Sequence, residues 1–153
     1  MIISLSTSRA SVLKDGTTTI TAVVPESDFT IHIPADKTLE YGNTEKQEIG
    51  TVYVSDVKRI SGSIYLRIIT TDLTSDTNTI TVNYYRKSTS EGAEWEALTD
   101  DNVRIYSQSQ SINETYQIAA QVNEYEWAGA VAGTYSATLT FKFINPDAEI
   151  YIP

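Results

Sequence analysis

From Tyr135 to Phe143 the chain alternates without a break. Tyr135, Ala137, Leu139, Phe141 and Phe143 fall on one side, and Ser136, Thr138, Thr140 and Lys142 on the other. A period of two makes a strand with one dry face and one wet face, and no helix satisfies it. The same pattern recurs along the chain. Ile64, Leu66 and Ile68 alternate with Tyr65, Arg67 and Ile69, and Val52 and Val54 with Thr51, Tyr53 and Ser55. Ile80, Val82 and Tyr84 share one face, and Thr18, Ile20 and Ala22 another. Phe29, Ile31 and Ile33 oppose Thr30 and His32. Pro25 and Pro34 end two of these runs by removing ladder donors, and Lys14-Asp15-Gly16 and Ser61-Gly62-Ser63 supply turns.

Composition agrees with the pattern. Sixty-three of 153 residues are Val, Ile, Thr, Tyr, Phe or Trp, while Leu and Met number 7 and 1. Branched and aromatic side chains suit a pleated, half-buried surface. Strands recurring every 8–15 residues predict an all-β chain. The expected architecture is a single Ig-like antiparallel β-sandwich over residues 1–153, with nine to eleven short strands and no amphipathic helix. Short strands are also expected at Leu39–Tyr41 and at Trp95–Ala97. The chain is long enough to bury a core without disulfides, and it has no cysteine to form them.

Charge and composition exclude several functions. Acidic residues number 20 and basic ones 11, a net charge of −9. Such a balance disfavours nucleic acid, which needs a basic face. No apolar run reaches the roughly 18 residues of a membrane-spanning helix, so no membrane insertion is expected. Thiol nucleophiles and thiolate metal sites are absent with the cysteines. The start of the chain carries no export signal, so either a leader has been trimmed or the protein is made in a cytoplasm, to stay or to assemble into a particle there.

His32 is the lone histidine and is expected on a solvated strand face, without a Gly-x-Ser-x-Gly elbow to partner it. Glu94 and Glu96, and Glu124 and Glu126, are two apart, and on strands each pair would share a face about 7 Å apart. That spacing would suit an inverting hydrolase, but like charges so placed usually keep a face solvated. Asp72 to Asn78 and Asp100-Asp101-Asn102 offer oxygens but lack the glycine and closing glutamate of a calcium loop. No catalytic, cofactor or metal site is therefore expected. Ten tyrosines are more informative. Tyr53, Tyr65 and Tyr85 face away from the expected core and could meet a protein or a glycan, whereas Tyr135, Trp95 and Trp127 sit among apolar neighbours. At the ends, residues 2–8 and 148–152 are short β-prone segments. Ile2, Ile3, Leu5, Ile150, Tyr151 and Ile152 could complete a neighbour's sheet.

Two stretches carry a resemblance. Phe29-Thr-Ile-His-Ile-Pro-Ala-Asp-Lys-Thr-Leu-Glu-Tyr-Gly42 resembles the opening of Gram-positive surface β-sandwich modules. Ala132-Gly-Thr-Tyr-Ser-Ala-Thr-Leu-Thr-Phe-Lys-Phe143 resembles their closing strand, which is also similar to that of WxL wall-binding domains and of pilins of the spore-coat-U type. The matches cover about 26 residues. Phe141-Lys-Phe143 stands where the WxL tryptophan would fall, and the pilin cysteines are missing. The resemblance implies fold and surface setting and transfers no functional residue. The resulting expectation is a non-enzymatic structural subunit on a virion, fibre or bacterial cell surface, acting on other protein subunits. A carbohydrate-binding adhesin module that meets host glycans through exposed tyrosines is the alternative.

Overall fold

The computed structural model describes residues 4–5, 13–22 and 28–145, with side chains from residue 15 onward. The molecule is all-β. Its larger sheet orders five antiparallel strands as β3 (Asp28–His32), β4 (Gln47–Lys58), β12 (Tyr116–Gln121), β8 (Asn83–Ser88) and β9 (Glu96–Ala97). The second sheet orders four: β11 (Ile112–Asn113), β10 (Val103–Ser107), β5 (Ser63–Thr70) and β13 (Leu139–Ile144). Among the described residues there are also two two-stranded sheets, β1 (Ser4–Leu5) with β2 (Leu13–Lys14), and the hairpin of β6 (Leu73–Ser75) with β7 (Asn78–Ile80).

The alternation read from sequence places the core. Val52 and Val54 of β4 and Ile118 of β12 meet Ile64, Leu66 and Ile68 of β5 and Ile105 of β10. A second cluster holds Ile80, Val82, Tyr84, Ala120, Val122 and Trp127. Ile49, Leu98 and Leu139 pack against both clusters. Ile80, Val82 and Tyr84 are all buried on one face, although they span β7 and β8 (Asn83–Ser88).

Register irregularities shape the larger sheet. Asp28 pairs with Lys58 but Thr30 with Ser55, so β4 carries an extra residue there. Asp56 absorbs it at φ 51°, a left-handed conformation that Asp tolerates better than bulkier residues. A second bulge shifts the β12 register between Ile118, opposite Gly50, and Ala119, opposite Glu48. Gly50 has φ 153°, and a Cβ there would lie 2.8 Å from the Pro34 Cβ. Glycine is therefore required where the chain leaving β3 crosses β4.

Four local expectations are corrected. Residues 124–129 form a short helix, α1 (Glu124–Gly129). The Asn123 side chain accepts the Glu126 amide proton at its start, and Trp127 anchors it in the core. Period-two reading misses a single capped turn, because six residues offer no helical repeat to count. Residues 39–41 form no strand, because the Glu40 backbone is held by the forked amide of Gln47. The Glu40 amide donates to Gln47 Oε1 at 2.7 Å, and Gln47 Nε2 donates to the Glu40 carbonyl at 3.3 Å. The last strand begins at Leu139 and not at Tyr135. Ser136 exchanges backbone hydrogen bonds with Thr74 of the β6–β7 hairpin instead. Finally, residues 17–22 alternate as expected but lie outside every sheet, with Ile20 92% exposed.

Candidate functional site

The most distinctive surface lies where the two sheets end on the same side. β3 and β13 are the outer strands there, and Phe29 of one meets Phe143 of the other with ring centroids 6.3 Å apart. Among the described residues, β3 pairs only with β4, and β13 only with β5. Pairing sets Ile31 opposite Val54, on the core-facing side. Val54 is buried, yet Ile31 is 47% exposed and Ile33 51% exposed. Nothing among the described residues covers them.

Beside this edge a cleft of about 590 Å³ opens between the sheets. Residues 33–39 form one wall and residues 134–137 the other, with Leu139, Phe141, Tyr84 and Trp127 deeper in. The turn that follows the first wall is tied down by the Gln47 fork on Glu40, by the Trp127 indole donating to the Asn43 carbonyl at 2.8 Å, and by the Gln121 amide donating to the Thr44 carbonyl at 2.9 Å. The Tyr84 hydroxyl donates to the Thr71 carbonyl at 2.9 Å. Its burial, helped by the Asp72 carboxylate, pushes its pKa from 10.0 to about 12. The phenol is thus a neutral structural donor. An apolar floor beneath an open strand edge is suited to holding an extended peptide: main-chain hydrogen bonds bind it and alternate side chains fill the cleft.

His32 does not simply face water. It is half-buried on the outer face of the larger sheet, stacked on Tyr53 at 4.2 Å and 5°. Its Nε2 lies 2.7 Å from the Ser55 hydroxyl oxygen. The Ser55 hydroxyl also donates to the Asp56 carboxylate at 3.1 Å, so the carboxylate sits on the serine and not behind the imidazole. A base-activated nucleophile needs the opposite order, with the carboxylate orienting the histidine.

The three tyrosines picked from sequence are each occupied and lie apart. Tyr53 stacks on His32, Lys46 sits 4.5 Å above the Tyr85 ring, and Arg104 covers Tyr65 and donates to its hydroxyl at 3.1 Å. Tyr65 lies on the other sheet. Tyr85 and Glu48 both pair with Ala119, so Tyr53 sits five residues further along β4, a separation of more than about 16 Å. They form no common platform. Trp95 lies beneath the Lys87 ammonium at 4.9 Å.

The carboxylate pairs are also apart in role. Glu124 and Glu126 lie in α1, where residues two apart do not face each other. Glu126 accepts the Thr81 amide proton at 2.9 Å, while Glu96 lies 3.5 Å from the half-buried Arg86 guanidinium. Asp72 accepts the Val82 amide proton at 3.0 Å. Asp100 grips Arg67 through two hydrogen bonds, which hold its carboxyl below the usual range. No group of three or more potential metal ligands occurs among the described residues. Of the end-strand residues, Ile2, Ile3, Ile150, Tyr151 and Ile152 lie outside the described residues, and Leu5 pairs with Leu13 through its backbone.

Sequence reasoning missed the importance of Ile31 and Ile33. Their place on the core-facing side was legible, but their exposure follows from β3 being outermost, which a strand pattern alone does not reveal. Comparison of the chain with protein-family models, with curated proteins and with solved structures returned no match.

Proposed function

We propose that this chain is a non-enzymatic structural subunit, a β-sandwich displayed on a virion, fibre or bacterial cell surface and working through protein–protein contacts. The observation that carries this reading is an edge left open among the described residues: two outermost strands flanking an apolar cleft, with Ile31 and Ile33 about half exposed. Uncovered edges over apolar surface are a liability in a chain that acts alone, and natural proteins blunt or cover them. The resemblance of residues 29–42 and 132–143 to surface modules supports the setting. The −9 charge keeps such a subunit soluble before it assembles. Light scattering after size exclusion, over a hundredfold range of concentration, tests the reading. Oligomers growing with concentration are expected, and a monomer throughout would overturn self-assembly.

One further observation favours a carbohydrate-binding module as the second reading. Tyr41 and Tyr125 are 73% and 84% exposed, and Tyr41 packs edge-on against Trp127 at 5.3 Å. Exposed rings stack on sugar faces. Titrating tryptophan fluorescence with a glycan panel separates the two readings, since only this one requires Tyr41→Ala to abolish a saturable change.

A further inference from the structure

The chain contains a segment with the properties the open edge lacks. Thr17-Thr18-Thr19-Ile20-Thr21-Ala22 is exposed throughout, and among the described residues it pairs with no strand. Its residues are mostly β-branched, and Thr18, Ile20 and Ala22 alternate with Thr17, Thr19 and Thr21. Side chains on the first face are small or apolar enough to enter a cleft. Those on the second would continue the polar outer face of Thr30 and His32. The segment carries no charge, so it can approach a like-charged copy without adding a carboxylate to the contact. On the acceptor side, β3 holds an amide that serves no strand: Phe29 N–H donates to the Asp28 carboxylate at 2.8 Å.

We propose that residues 17–22 of one copy add as a strand to the free edge of β3 in a second copy, with Ile20 lying over Ile31, Ile33 and the mouth of the cleft. The proposal deepens the assembly reading and rests on it. Only residues 23–27, Pro25 among them, separate the segment from β3 of its own chain. Five residues are enough to close a hairpin, yet residues 17–22 pair with no strand among the described residues, which leaves both the segment and the β3 edge available to a second copy. The donor and acceptor surfaces differ, so the contact is head-to-tail. Each subunit that accepts a strand still has one to give, and the assembly either closes into a ring or grows.

Complementation between two variants of the full chain tests this, read by sedimentation velocity and native mass spectrometry. Ile20→Asp spoils the donor and leaves the acceptor intact, and Ile31→Asp does the reverse. Both positions are exposed in the single subunit, so neither change threatens its fold. Each variant alone is expected to remain monomeric at concentrations at least 100-fold above those at which the unaltered chain associates. An equimolar mixture is expected to form one-to-one dimers and nothing larger. A mixture that stays monomeric overturns the exchange. Variants that associate as well as the unaltered chain also overturn it, while leaving the assembly reading standing. An unaltered chain that is monomeric at every concentration overturns both.

Discussion

Tyr84 shows how one side chain can join the two sheet ends and record the junction in its chemistry. It is buried, and its hydroxyl reaches the Thr71 carbonyl across the chain. Burial and Asp72 raise its pKa from 10.0 to about 12. Below pH 10.0 the phenol is neutral whether the chain is folded or not, so its contribution is fully present. Between pH 10.0 and about 12 the unfolded chain loses the proton first, and stability falls by up to about 1.4 kcal/mol per pH unit from this group. Ultraviolet titration is expected to show a late phenolate phase near pH 12 that shrinks in Tyr84→Phe. The same variant should lose about 1 kcal/mol at neutral pH, the net worth of one hydrogen bond. Tyr116 is also raised, chiefly by burial and then by Glu114 against the opposing effect of Arg86, so a smaller late component should survive. Gly50 makes the opposite point, since its value lies in the atom it lacks. Gly50→Ala would force a Cβ to within 2.8 Å of the Pro34 Cβ at a φ that L-residues avoid. A cost of about 1–3 kcal/mol is expected in urea unfolding.

At the scale of elements, the sequence spoke most clearly where a strand has neighbours on both sides. The Val52–Val54, Ile64–Leu66–Ile68 and Ile118 faces are legible because burial on one side and solvent on the other force strict alternation. It spoke less clearly at the margins. Residues 17–22 and 28–32 alternate equally well, yet one forms an edge strand and the other no strand, because pairing depends on partners far away in sequence. Helix α1 was invisible for another reason: its stability comes from one cap and one anchor, and not from a repeat. That makes it fragile in a defined way. Asn123→Ala removes the acceptor for the Glu126 amide and is expected to cost about 1 kcal/mol. Fraying of α1 should also loosen Trp127, whose indole pins the β3–β4 connection through the Asn43 carbonyl. A red shift of tryptophan emission before global unfolding would report that local opening. Emission unchanged up to the main transition would mean that packing, and not the cap, holds the helix. The candidate cleft was only half legible for the same reason: its aromatic and aliphatic lining could be named as core-facing, but its openness belongs to the order of strands.

For the whole molecule, the question is how a chain of net charge −9 could meet its own copies. Copies repel at long range, and that repulsion is screened beyond about 8 Å at physiological ionic strength. The contact itself is built differently. The donor residues 17–22 carry no charge, and the acceptor surface is Ile31, Ile33 and the apolar floor of the cleft, with Asp28 on β3 and Asp36 and Lys37 beside the cleft. The attractive part of association is therefore apolar burial and backbone pairing, which salt does not weaken, while the opposing part is net-charge repulsion, which salt removes. Raising sodium chloride from 20 to 500 mM is expected to tighten self-association severalfold, measured by sedimentation equilibrium. An interface carried by ion pairs would show the reverse, as the Arg67–Asp100 pair at 2.8 Å would if it lay across a contact, because exposed pairs lose strength as counterions screen them. The sign of the salt dependence thus separates an edge-to-strand contact from a charge-matched one. Ile20→Asp sharpens the test, because it places a carboxylate in the one stretch that has none. Any association that variant retains should strengthen more steeply with salt than that of the unaltered chain.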